Sequence, residues 1–129
     1  MFTLKRPDEA KINEFLKSCQ EKPYSYPDVG ATDRKQDEVT APTGFKIDTY
    51  EIDLGSGEET YQRAKQAIRE WKMFPQSMVN LCWPTAPIQK GTIVAVLIRS
   101  GFWSLNAARI IYTIDETGES DRFGFAYGT

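Results

Sequence analysis

The chain has 129 residues, of which 40% are hydrophobic and 26% charged, with a formal net charge of −2. That supports one hydrophobic core and not two, so a single domain over residues 1–129 is expected. A pI near 5.2, with no basic run longer than Lys5-Arg6, argues against nucleic acid as a partner, because phosphate binding needs a concentrated positive face.

The N-terminus becomes charged at Lys5-Arg6 before an apolar signal stretch can form. No apolar run approaches the ~20 residues of a membrane span. A cytoplasmic setting is therefore expected, with Cys19 and Cys82 as free thiols packed like small hydrophobes. Their separation excludes a CxxC redox or zinc motif. No histidine occurs, which removes imidazole bases, histidine triads and histidine metal sites from these residues.

The first element is a helix. Asp8-Glu9 suit its positive end, Ile12, Phe15, Leu16 and Cys19 form its apolar stripe, and Lys22-Pro23 end it. Residues 23–44 read as a long loop, punctuated by prolines and glycines and containing the polar run Asp33-Arg34-Lys35-Gln36-Asp37-Glu38. Tyr24 and Tyr26 supply aromatic anchors for its first half. Phe45–Leu54 reads as a strand with a phase slip near Asp48-Thr49, from a bulge or from burial of both faces.

Ser56-Gly-Glu-Glu59 has capping-box spacing and predicts a second helix with Ser56 as N-cap. Tyr61, Ala64, Ile68 and Trp71 follow on one face, Glu59 precedes Arg63 by four residues, and Pro75 closes the segment. The remainder predicts strands at 78–83, 91–99, 107–115 and 122–129. The run 92–98 is apolar at both parities and belongs in the middle of the sheet, and 108–127 reads as a hairpin. Successive antiparallel strands with two helices give an α+β β-meander, matching the opening of a helix-grip fold of the START/Bet v 1 kind.

Several local patterns invite chemistry. Leu54-Gly-Ser-Gly57 enters a helix as phosphate loops do, but it lacks the full glycine spacing and two carboxylates follow, so a capped helix start is favoured. Asp115, Glu116, Glu119 and Asp121 surround one turn without calcium-loop spacing, which favours a solvated polar turn. Arg99, Phe102, Trp103 and Arg109 combine the residue types that dominate binding hot spots and pocket rims, against the alternative of a loop folded onto the core. Trp71, Trp83 and Tyr127 either line a cavity or fill a core.

Six segments appear in a telling order: Tyr26-Pro-Asp-Val-Gly30-Ala-Thr32, Leu54-Gly-Ser-Gly57, Ala67-Ile-Arg-Glu-Trp71, Gly91-Thr-Ile-Val-Ala-Val96, Asn106-Ala-Ala-Arg109-Ile-Ile-Tyr112 and Gly124-Phe-Ala-Tyr-Gly-Thr129. This series, over about residues 24–129, resembles uncharacterised protein family 0548 of bacteria and plants. The resemblance implies no activity. It implies that the family domain continues beyond Thr129, through a Gly-His and a Gly-Glu-Glu segment into further strands and a C-terminal helix. The family's histidine lies in that portion, so the exclusion of imidazole chemistry applies to these residues rather than to the family.

The resulting expectation is an incomplete helix-grip-like α+β domain serving as a small-molecule or lipid-like ligand-binding module, non-enzymatic as it stands. Trp71, Trp83, Arg99, Phe102, Trp103, Arg109 and Tyr127 are the ligand-binding candidates, and no cofactor or metal is called for. Two alternatives stand beside it. One is an enzyme using Asp, Glu, Tyr or Arg groups completed by the missing segment, and the other is an interaction domain, including a homodimer, pairing through the edge strand at 122–129.

Overall fold

The computed structural model describes residues 1–33 and 41–128. The 34–40 part of the expected polar run, and Thr129 at the end of the expected last strand, lie outside them. The order is β1 (Phe2–Thr3), α1 (Glu9–Gln20), α2 (Glu58–Arg69), β2 (Val79–Cys82), β3 (Ile93–Arg99), β4 (Trp103–Glu116) and β5 (Arg122–Gly128). Strands β2 to β5 form the expected antiparallel meander. The five strands make one curled sheet, a half-barrel, in which β3 lies between β2 and β4.

Strand β4 organises the sheet. Along one edge it pairs with β3, from Ile93↔Arg109 to Arg99↔Trp103. Along the other it holds β1 at Trp103 and Ser104, and β5 from Arg109↔Gly128 to Glu116↔Arg122. The β5 register breaks between Ile110 and Tyr112, leaving Ile111 as an extra residue. A bulge of this kind shifts side-chain parity along the strand.

Each face of the sheet has its own core. On one face, Ile12 and Leu16 of α1 pack on Cys82, Ala95, Leu97 and Leu105. On the other, Trp71 covers Val94, Val96, Ala108 and Ile110, with Phe125 packed alongside. Because consecutive β3 residues serve different cores, Val94, Ala95, Val96 and Leu97 are all buried. Full burial of a side chain such as Leu97 contributes about 1.5–3 kcal/mol.

The first helix forms much as its sequence directs, with the Asp8 carboxylate accepting from the Lys11 N–H at 2.8 Å. The second departs from expectation. Its N-cap is Gly57, at φ 92°, and no side chain caps it, so the Ser56–Glu59 capping box does not form. Starting the helix at Glu58 moves the cap onto a residue with no side chain, and Glu58 instead accepts from Gln62 Nε2 at 2.7 Å. None of the ion pairs among the described residues joins Glu59 to Arg63. The apolar stripe ends in Trp71, whose positive φ of 59° turns the chain and places its indole under the sheet.

The expected strand at 45–54 is also corrected, because among the described residues this segment forms neither helix nor strand and joins no sheet. Tyr50 and Ile52 are 91% and 82% exposed. Alternation is a local property, whereas a strand exists through a ladder to a neighbour, and among the described residues no strand pairs with this segment. The two-residue strand β1 lies where the sequence reading placed no element, since its two residues are too few for a periodic signal. The molecule is thus α+β, and the helix-grip expectation is met at that level only.

Candidate functional site

The chain leaving α1 crosses the α1 face of the sheet as a strap, residues 22–32, and three contacts fix it. The Arg109 Nη2 donates to the Cys19 and Lys22 carbonyls at 2.6 and 2.8 Å, closing the C-terminal end of α1. A cation suits that end of a helix, where unpaired carbonyls and the dipole concentrate negative potential. The same guanidinium lies 4.7 Å from the Tyr24 ring centroid. Further along, Tyr26 rests on Gly128 and Ile111, and a Cβ at position 128 would collide with the Tyr26 hydroxyl. Finally, the Thr32 and Tyr112 hydroxyls hydrogen-bond at 2.7 Å.

Two clefts remain beneath the strap. The first, about 290 Å³, lies between residues 26–32, residues 42–47 and the β4–β5 surface. Its walls include Phe45, Ile47, Ile111 and Ala126, with Tyr26, Thr32 and Tyr112 as hydroxyl-bearing residues of the lining. The second, about 340 Å³, lies between α1, the strap and β3–β4, lined by Phe15, Ile93, Leu105, Ala107 and Arg109 among others. Gly128 lines the second and Tyr26 the first, so their contact is the partition between the two. Both volumes lie near the low end of small-molecule sites, roughly 300–1,000 Å³.

The electrostatics are quiet. Burial, with a smaller contribution from Tyr24, raises the Tyr26 phenol above its usual value and keeps it protonated. Burial likewise pushes the Cys82 thiol up, against a smaller opposing effect of Arg6, and a protonated thiol is a poor nucleophile. Among the described residues no three His, Cys, Asp or Glu side chains are grouped to hold a metal. The carboxylate-rich turn behaves as a polar turn. Asp115 pairs with Lys65, Glu116 with Arg122, and Asp121 accepts from the Gly118 N–H.

The sequence-selected residues are spread through the fold rather than gathered. Trp71 is 3% exposed, donates from Nε1 to the Ala86 carbonyl at 3.0 Å and meets Phe125 edge-on. Trp83 is on the α1 side, donating to Asn13 Oδ1 at 3.1 Å. Arg99, Phe102 and Trp103 form the β3–β4 corner, with the Arg99 guanidinium 5.7 Å from the Trp103 ring. Arg109 lines the second cleft and Tyr127 the first. Tyr26, Thr32, Ile111, Tyr112 and Ala126 were not among the sequence candidates. Their grouping depends on the β4 bulge and the strap, and its one sequence signal was the pair of tyrosines anchoring the loop.

Fold and clefts define a class: an α+β domain with a strapped, half-barrel sheet and small, largely apolar clefts. Residues 25–129 match the family described as Domain of unknown function (DUF1990). The chain is similar to the UPF0548 protein of Dictyostelium discoideum, at 32% identity over 137 residues, covering all of this chain and 63% of that relative. It is similar to the UPF0548 protein of Deinococcus radiodurans at 29% identity, covering all of this chain and 67% of that one. A UPF0548 protein of Arabidopsis thaliana is 27% identical over 74% of this chain. The chain therefore belongs to the UPF0548/DUF1990 family and spans roughly two thirds of the length of the first two relatives. No solved structure matches it.

Proposed function

We propose that the domain is a binding module for a small, mostly apolar molecule, housed beneath the 22–32 strap. The observation that carries this reading is the pair of adjacent clefts, each walled mainly by carbon and divided by the Tyr26–Gly128 contact. Such clefts draw apolar surface from water, while a few hydroxyls orient the ligand. Of the sequence candidates, Arg109 and Tyr127 remain as cleft-lining positions. A neutral solvatochromic dye such as Nile red tests the reading. Ala126→Phe fills the first cleft and Ala107→Phe the second, and at least one should weaken dye binding about tenfold, the loss of ~1.4 kcal/mol of apolar contact. Wild-type affinity in both folded variants would refute the assignment.

A second reading, association through the sheet edge, is favoured by β5, whose pairing among the described residues is with β4 alone. An unpaired edge can template another strand. Light scattering across concentration tests it, and a monomer throughout would exclude pairing between copies.

A further inference from the structure

We propose that the corner formed by β1 and the β3–β4 turn is a docking tip for an anionic lipid surface, separate from the clefts. The sheet hydrogen-bonds β1 to the start of β4, with Phe2 opposite Ser104 and Thr3 opposite Trp103. The Thr3 hydroxyl donates to the Lys5 carbonyl at 2.7 Å and turns the chain there, while the turn at Ser100–Phe102, with Gly101 at φ 74°, brings up the neighbouring loop. The result is an apolar tip in water. Phe2 and Leu4 are 73% and 90% exposed, and Phe102 is exposed too, meeting Phe2 edge-on at 5.4 Å.

Cations flank this tip. The Arg6 and Arg99 guanidiniums lie 6.0 and 5.7 Å from the Trp103 ring, and Lys5 is exposed beside them. None of the three is in an ion pair among the described residues, although the chain as a whole is acidic, with a net charge of −2. Phe2 lies on the Trp71 face, opposite Ser104, while Arg99 and Trp103 share the α1 face, so apolar side chains and basic groups without ion pairs edge one corner from its two faces, and an anionic bilayer met end-on takes both. Phe2, Leu4 and Phe102 would enter the acyl boundary while Lys5, Arg6 and Arg99 meet phosphates. Charge complementarity favours lipid over a purely apolar partner, which would leave three cations unanswered.

Vesicle co-sedimentation tests this with the intact chain. Three basic groups near the surface predict binding about 100-fold stronger to phosphatidylcholine vesicles carrying about 30% phosphatidylserine than to neutral ones, weakening with salt. Leu4→Ser with Phe102→Ser should reduce binding to the anionic vesicles at least tenfold. Lys5→Glu with Arg99→Glu should erase the preference for anionic lipid. All four positions are exposed, and unchanged circular dichroism would confirm folded variants. No wild-type binding to anionic vesicles, or full binding by both double variants, overturns the proposal. So does concentration-dependent dimerisation without lipid that Phe102→Ser abolishes, because the tip would then serve a second copy of the chain.

Discussion

Replacing Arg109 by alanine is the sharpest test of the strap. The side chain donates two charge-assisted hydrogen bonds to the end of α1 and stacks on Tyr24. Hydrogen bonds from a charged group contribute roughly 1.5–3 kcal/mol each, and a cation–π contact about 0.5–2 kcal/mol. The two bonds share one nitrogen, and water can reach the exposed Lys22 carbonyl once the arginine is gone. A net loss of about 3 kcal/mol is therefore expected, short of the simple sum. For a domain of this size that corresponds to a fall in Tm of roughly 12 °C. Urea unfolding followed by tryptophan fluorescence measures the loss directly, and Tyr24→Ala, which removes the stacking partner and the ring contact with Tyr26 but leaves both Arg109 hydrogen bonds, should cost about 1 kcal/mol. If Arg109→Ala unfolds within 1 kcal/mol of wild type, the guanidinium does not hold α1 and the strap to the sheet. Its place in the cleft would then need another reason.

Other expectations follow from individual contacts. Leu97→Ala leaves a cavity in the α1-side core and should cost about 3 kcal/mol, read from the urea midpoint. Trp71→Phe keeps most of the packing but leaves the Ala86 carbonyl without its indole donor, so a loss of about 1–3 kcal/mol is expected in the same assay. A disulfide reagent should modify the half-buried Cys19 in the native protein and reach the buried, proton-retaining Cys82 only on unfolding. The Tyr26 phenol is raised in the folded state, so the unfolded chain loses this proton first, at about pH 10. Its contribution to stability is complete below that pH and disappears as pH rises through the folded value. Thermal unfolding from pH 9 upward should therefore show a smaller alkaline loss in Tyr26→Phe than in wild type.

The sequence by itself determined the elements whose causes are local. The 3.6-residue stripe at Ile12, Leu16 and Cys19 and the carboxylate at Asp8 specify α1 from within one segment. The two-faced run at 92–98 and the hairpin around Thr117-Gly118 specify the centre and end of the meander. Family membership was legible too, because it rests on ordered residues rather than on contacts. Tertiary structure decided what depends on partners distant in the chain. The alternation at 45–54 lacks a ladder to join, and Ser56 yields its capping place to Gly57. The bulge at Ile111 depends on β5, and Arg109 finds its acceptors 90 and 87 residues away. The seven aromatic and arginine candidates share binding-prone side-chain types, and side-chain type does not say which face of a sheet a residue occupies. Register does: the bulge in β4 sets where Ile111 and Tyr112 meet the Tyr26–Thr32 strap, while Trp71, after α2, and Trp83, after β2, pack into the cores on opposite faces.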